Sequence, residues 1–415
     1  MVRKLARFKG FEKLTNVDLA LSTFLKELRL ERLAPVQLSL SEALERVVAE
    51  DVIAANDLPS QNRSAVDGYA VVAHSTFEAS QFKPKVLTLT ENAKMDMGEA
   101  KQIWTGNPLP PNADAVVMLE HTKKVEGKIE VWAPVTPGEN VSRRGEDIQK
   151  GEVAIRAGTR LKPPHMGLLA ALETAYVKVV KKPKVAILCT GNELTKLGQE
   201  RKPNQIVDSN SWTISGMCLE LGAEPLYLGI AKDNVDEIAA KIQEGIVEAD
   251  AVLTTGGTSV GASDLVPDAV NQLGTPGVIV HGVAMRPGMP TGLAILQHKP
   301  VFMLSGNPVA ATVGFEVFAR PTLLRLTGIN SEPRPMLKAR LTQRVASSLG
   351  SRVFLRVNAY AREGEFFAEP VRVKGSGILT TMTKANGYVV IPENREGLEG
   401  GEFVTVHLFG KLGEG

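Results

Sequence analysis

The spacing of apolar residues changes period several times along this chain, and each change marks a different kind of element. From Thr15 to Leu30 the apolar positions Val17, Leu19, Leu21, Phe24, Leu25 and Leu28 recur at helical spacing, with Thr15 or Asn16 able to cap the start. This predicts a short helical arm. A second helix is expected from Leu40 to Val48, capped by Ser39 or Ser41, running into an extended stretch from Asp51 to Pro59. Between about Phe82 and Asn140, short apolar runs (KVLTL, AVVML, KIEVW) alternate with Pro, Gly and Asn, which predicts a small β-rich domain without a long helix. The Pro pair in LKPPHMGLLAALE opens a helix near His165, expected to pack on the N-terminal helices.

From Lys184 the rhythm becomes strand then helix: KVAILCTG, a helix over 211–221, EPLYLGIA, a helix over 235–247, DAVLTTGG, and a helix over 266–273. Such repetition predicts a mostly parallel sheet covered on both faces, with ligand groups at the carboxyl ends of its strands. A helix from about Val309 to Leu326 closes the segment. Past Gly328 the pattern is strands and turns again (MLKARLTQRV, RVFLRVNAY, EFFAEPVRV, GYVVIP, EFVTVHLF), a small all-β domain. The fold class expected is multidomain α/β plus β.

Composition narrows the function. Lys and Arg total 48 against 46 for Asp and Glu in 415 residues, so any anion is bound by a local site and not by a basic surface; no nucleic acid is expected as partner. Two cysteines, Cys189 and Cys218, do not make a disulfide scaffold, and the six histidines lack metal-ligand spacing. The basic start MVRKLARFKGFEKL has no unbroken apolar core, and no later apolar run is long enough for a bilayer, so no membrane association and a cytoplasmic setting are expected.

The sharpest chemical signal is DAVLTTGGTSVGASDLV, a buried strand entering Thr254, Thr255, Gly256, Gly257, Thr258, Ser259, Gly261 and Asp264 before a helix. Glycines admit a ligand close to the backbone, while N–H groups and hydroxyls favour phosphate. Taken singly this is also an ordinary strand-to-helix turn, and it is neither a Walker A loop nor GxGxxG. Other strands of the segment end in Thr190, Gly191, Asn192 and Glu193, in Asp208, Ser209 and Asn210, and in Asp233. Each alone reads as a cap or a solvated turn. Together, a parallel sheet would gather Glu193, Asp233 and Asp264 into one crevice beside the glycine turn, suited to hydrated Mg²⁺ between carboxylates and phosphate. Two further turns follow: Arg286, Pro287 and Gly288 offer a fixed cation, and Ser305, Gly306, Asn307 and Pro308 offer donors at a helix start.

TTGGTSVGASD, MRPGMP and SGNPVA, with NRSAVDGYAV, TGNPLPPNADAVV and SRRGEDI upstream, closely resemble the molybdopterin molybdenumtransferases, that is, the MoeA proteins and the gephyrin E domain. The resemblance runs from about Leu40 to the C-terminus. It implies a discontinuous helical and extended domain (1–55 and 147–182), an inserted β-rich domain (56–146), a three-layer α/β molybdopterin-binding domain (183–328) and a C-terminal β-barrel (329–415). It further implies an elongated homodimer with the active site between subunits, Asp67, Thr105 and Asp147 joining Glu193, Asp233 and Asp264 as catalytic residues. The implied reaction takes adenylylated molybdopterin and inserts molybdate, or tungstate, with Mg²⁺ as cofactor and AMP released. Arg286, Arg356 and Ser376 would bind the oxyanion, the last two otherwise being exposed surface residues. The preceding adenylyltransferase is an implied partner.

The chain departs from the family's pattern at Gly282 and Met289, where lysines are common, and at Ser305 and Ala310. Arg344 or Arg352 would be the residues to replace the missing charge. Two alternatives stand beside the main reading: molybdopterin adenylylation, which the α/β segment alone would fit, and a non-catalytic dimeric scaffold like gephyrin.

Overall fold

The computed structural model describes residues 14–258, 265–371 and 377–414. The chain divides into two compact units, one formed by Met1–Pro35 with Val180–Gly415 and the other by Val36–Val179. No helix among the described residues is long and apolar enough to cross a membrane.

The larger unit opens with helix α1 (Val17–Leu28), whose first turn is capped by the Asn16 side chain accepting the Asp18 and Leu19 N–H groups. Strands β1 (Lys184–Thr190), β2 (Glu224–Ala231), β3 (Ala251–Thr255), β4 (Gly277–His281), β5 (Gly292–Leu296) and β6 (Lys299–Leu304) form one sheet in the order β2-β1-β3-β6-β5-β4. The first four in that order run parallel; β5 and β4 are antiparallel additions at one edge. Between strands lie α2 (Asn210–Leu221), α3 (Val235–Glu248) and α4 (Leu265–Gln272), close to the predicted helices. Period-two alternation sorts the strand residues onto two faces. Val185, Ile187, Leu253, Phe302 and Leu304 pack on the face that takes α1 and α2, and Ala186, Leu188, Val252, Val301 and Met303 on the face that takes α3 and α4. Gly245 of α3 lies so close to the sheet that a Cβ there would meet Ala186 Cβ at 2.9 Å.

The helix expected over 309–326 is a run of Pro308–Gly314, a π turn at Phe315–Ala319, and Arg320–Leu326. Pro321 accounts for the interruption, because it has no N–H to return to the preceding turn. The opening helix α1 packs into this unit's core, with Phe24 edge-on to Phe302 at a centroid distance of 5.6 Å.

Beyond residue 335 five strands close into a barrel among the described residues: Met336–Leu341, Arg352–Arg362, Glu365–Pro370, Gly387–Ile391 and Phe403–Leu408. Closure follows from the long strand Arg352–Arg362, which pairs with both Glu365–Pro370 and Gly387–Ile391. Met285–Arg286, from the α/β part, extends this barrel by parallel pairing with Arg352 and Val353. Ion pairs reinforce the junction. Arg352 holds Asp18 (2.6 Å) and Glu393 (3.1 Å), and Arg334, in the connection, holds Glu316 (2.9 Å) and Glu220 (2.6 Å).

The smaller unit is built on a six-stranded sheet among the described residues, in the order Ala115–Met118, Gly68–Val71, Glu99–Ile103, Lys85–Leu89, Lys128–Val131, Thr122–Val125. Its helices within the sheet region are only the short turns Ala73–Thr76 and Leu119–His121 among the described residues, as the turn-rich sequence predicts. The helix expected from Leu40 to Val48 is not formed. Only a 3-10 turn at Leu40–Glu42 appears, because the backbone beyond it bonds to another segment: Glu45 N–H to Leu161 O and Val48 N–H to Thr159 O, both 2.9 Å. Here tertiary pairing overrides local helical periodicity. Helix Pro163–Ala171 packs on that turn, burying Leu169 with Ala43 and Val48.

Phe24→Ala should destabilise the chain by about 3–5 kcal/mol, as expected for emptying a fully enclosed ring site. Denaturant unfolding followed by circular dichroism checks it; a loss below about 1 kcal/mol would mean that α1 is not integral to the α/β core.

Candidate functional site

The parallel strands deliver their carboxyl ends to one rim, and a cavity of about 700 Å³ opens there. Its wall includes the ends of β1, β2 and β3, the first turn of α2 and the turn after β6. Of the residues predicted from sequence, it gathers Thr190, Gly191, Glu193, Asp208, Ser209, Asn210, Asp233, Thr255 to Thr258, and Ser305 to Pro308. Sequence reasoning missed Pro290, Gly377 and Leu379, which also line it. Ser259, Gly261, Asp264 and Ser376 lie outside the described residues.

The glycine turn is dictated by crowding against β1. Gly256 has φ +93°, and a Cβ there would lie 2.3 Å from Thr190 O. At Gly257, φ +63°, it would lie 2.9 Å from Thr190 Oγ1 and 2.7 Å from Val266 Cγ2. Only glycine satisfies both the dihedral angle and the space. Gly256 N–H is engaged by Leu304 O at 3.1 Å, which pins the turn to β6 and takes that donor out of the ligand's reach. Thr190 Oγ1, buried at the cavity wall, has no hydrogen-bond partner among the described residues.

Two carboxylates stand exposed on the same rim. Asp233 Oδ2 accepts the Asn192 N–H, while Asn192 Oδ1 accepts the Asp233 N–H, both at 3.2 Å, so the ends of β1 and β2 are clasped together. Glu193 folds back over Gly191, where a Cβ would meet its carboxylate oxygens at 2.6 and 2.7 Å. An oxygen-only donor pair of this kind matches a hard cation such as Mg²⁺. Among the described residues no group of three or more His, Cys, Asp or Glu is arranged to hold a metal, and Asp264, the third member expected, is outside them.

Cys189, at the end of β1, is fully buried and accepts the Thr255 hydroxyl at 3.3 Å. Burial first, and then the Asp208 charge, push its thiol far above the ordinary range, so it stays protonated. Burial likewise pushes the Cys218 thiol up to about 12.

The remaining predicted residues are distributed elsewhere. Asp67 and Thr105 meet on the smaller unit: Asp67 Oδ1 accepts the Thr105 N–H at 2.8 Å and its hydroxyl at 2.7 Å. Those two bonds, the N–H first, hold the Asp67 carboxyl below its usual range. Asp147, also exposed there, donates its N–H to Leu58 O at 3.0 Å. Arg286 is exposed on the barrel's edge, and Gly288 closes its turn with φ +108°. Arg356 corrects an expectation. Predicted as a surface residue, it is 5% exposed and lines a separate hollow of about 150 Å³ with Met217, Val313, Phe354 and Tyr388. The cause is strand alternation: Arg356 pairs with Tyr388 on the barrel face turned to the α/β helices, and burial lowers its pKa.

Three family descriptions match in succession: the MoeA N-terminal region (domain I and II) over residues 15–172, a probable molybdopterin binding domain over 186–325, and the MoeA C-terminal region (domain IV) over 338–409. A molybdopterin molybdenumtransferase of Bacillus subtilis is 36% identical over 383 residues, covering 89% of each chain. The chain belongs to the MoeA family. A Methanocaldococcus jannaschii protein placed provisionally in molybdopterin biosynthesis is 39% identical, covering 98% of this chain and 99% of that one. The crystal structure of a molybdopterin biosynthesis MoeA protein from Pyrococcus horikoshii superposes with a TM-score of 0.83 at 34% identity, covering 96% of this chain and 100% of that chain. The multidomain α/β plus β architecture is therefore that of MoeA.

Within this MoeA chain, the two arginines considered as substitutes for the absent lysines at Gly282 and Met289 are both engaged. Arg352 is held by Asp18 and Glu393, and Arg344 by Glu399 at 3.2 Å. Gly282 N–H bonds to Thr291 O and Val283 N–H to Met289 O, so both positions serve the backbone of the Pro-Gly turn.

The Asp67 carboxyl should titrate below the ordinary value of about 3.9, and Thr105→Val should move it upward toward that value. Because the folded pKa is depressed, the bond favours folding above the unfolded pKa and the effect is lost as pH falls through the folded one. Carboxyl-carbon NMR titration of both proteins decides it; identical midpoints would mean that the Thr105 hydroxyl adds nothing to the hold of its N–H.

Proposed function

We propose that this chain is a molybdopterin molybdenumtransferase, which inserts molybdate or tungstate into adenylylated molybdopterin and releases AMP. The observation that carries the reading is the joining, in one cavity, of a glycine turn fit for phosphate with the carboxylates Glu193 and Asp233. Thr255 to Thr258 and the Ser305–Asn307 turn would bind and orient the phosphate, with the Thr190 hydroxyl as a further donor. Glu193, Asp233 and Asp264 would hold Mg²⁺. That ion, when bound, supplies positive charge against the phosphate oxygens as AMP departs. No protein nucleophile is required, and protonated Cys189 is unsuited to be one.

The oxyanion is a substrate. Arg286, Arg356 and Ser376 are the residues that the resemblance assigns to it, a set of donors suited to an oxyanion. Asp67, kept ionised by Thr105, and Asp147 would complete the site from the second copy of a cytoplasmic homodimer, with the pterin received from the preceding adenylyltransferase.

Purified protein, adenylylated molybdopterin, Mg²⁺ and either molybdate or tungstate should yield AMP and metallated cofactor together. Asp233→Asn should slow both by at least about 10–100-fold without changing the fold. Tight pterin binding with no oxyanion-dependent AMP release in the wild-type protein would overturn the transferase reading in favour of a scaffold.

A further inference from the structure

Asp208 is a carboxylate only 3% exposed, and the donors that meet it are uncharged. The Ser211 N–H bonds to Oδ1 and the Tyr227 hydroxyl to Oδ2, both at 3.0 Å. The Cys189 thiol faces it as well. Its sulfur accepts the Thr255 hydroxyl at 3.3 Å, which leaves the thiol proton for the carboxylate. Burial first, and then the Asp208 charge, raise the Tyr227 phenol above its ordinary range as they raise the thiol, so both groups stay protonated. A buried carboxylate is costly unless hydrogen bonds replace the water it has lost. Here they arrive from three elements: Cys189 from β1, Tyr227 from the edge strand β2 and Ser211 from the first turn of α2.

What Asp208 holds in its turn is the cavity wall. Its own N–H bonds to Thr195 O at 2.9 Å and the Ile206 N–H to Glu193 O at 2.8 Å, so the strand leading into Asp208 is tied to the segment that carries Glu193. On the other side, Asn210 Nδ2 donates to Gly306 O at 2.9 Å and joins the start of α2 to the turn after β6. Glu193, Ser209, Asn210 and Gly306 all line the main cavity. Cys189 and Tyr227 stand behind that lining, and the bonds run from Thr255 at the glycine turn through Cys189 to Asp208 and out to Tyr227.

We propose that Tyr227 and Cys189 are positioning residues for the cavity: as uncharged donors they fix Asp208, and through it the Glu193 segment and the first turn of α2, in the geometry that binds substrate. The inference rests on the reading of this cavity as the substrate site. It gives the buried thiol a use that requires its proton, where a nucleophile would have to lose it.

The test measures the affinity of the intact chain for adenylylated molybdopterin by titration calorimetry, with Mg²⁺ and without oxyanion. Tyr227→Phe should weaken binding roughly tenfold, the scale of one hydrogen bond to a charged group. Cys189→Ala should weaken it about fivefold, a thiol being the weaker donor, and Cys189→Ser, which keeps a donor, should stay within about twofold of wild type. Tyr227 is 41% exposed and Phe retains its ring, so this variant serves as the test even where a change at Cys189 perturbs the core. Coupling is the result that general loosening would not give: in an Asp208→Asn background, Tyr227→Phe should cost less than about twofold further. A full tenfold loss in that background, or wild-type affinity in Tyr227→Phe alone, overturns the proposal. A wild-type chain that binds the substrate but releases no AMP when oxyanion is added removes the transferase reading, while the same affinities still decide the role of Tyr227; a wild-type chain that binds no adenylylated molybdopterin overturns both.

Discussion

A parallel register that leaves no space for a Cβ beside Thr190 is the constraint on which the rest of the site depends. Cys189 pairs with Thr255 across β1 and β3, and Thr190 with Ala231 across β1 and β2, so three strand ends arrive level. Gly256 and Gly257 must then pass directly over Thr190, and Asn192 can clasp Asp233. Move β1 by a residue and the Thr190 hydroxyl exchanges faces with Cys189; move β3 and the Thr255 hydroxyl exchanges faces with Thr254. Cavity, turn and acids are thus consequences of one hydrogen-bond ladder.

The barrel is held to this frame by means of a different kind. Beside its own closed core it lends Phe354, Tyr388 and Val390 to the apolar core of the α/β part. To this packing are added the strand segment Met285–Arg286, the reach of Arg352 to Asp18 on α1, and the joining of Arg334 to Glu316 and Glu220. Polar ties of this type fix orientation more than they add stability. Gly377 and Leu379 reach the main cavity from the barrel side because that orientation is fixed.

Strand-helix repetition and the glycine turn were legible in the sequence because both are local: a period of two, a period of 3.6, and residues that only a tight turn tolerates. The boundaries of α2, α3 and α4 follow within a residue or two from their caps and apolar spacing. What periodicity cannot state is the partner of a buried face. The apolar stripe of α1 shows that Phe24 is covered but not that Phe302 covers it, and the spacing from Leu40 to Val48 looks helical until residues 159–161 compete for its backbone. Arg356 was misjudged as exposed for a related reason, since a charged residue in an alternating strand is normally assigned to water.

Both thiols lie in the α/β core, Cys189 under the cavity and Cys218 on α2, with no accessible surface and with ionisation suppressed by burial. The arrangement keeps both chemically silent: neither thiol is offered to a soft metal or for mixed disulfides. The same burial turns the pair into an internal gauge. Alkylation of the unmodified chain measures how often its central sheet opens, and site-specific labels elsewhere can be attached through an introduced cysteine without first removing the native ones.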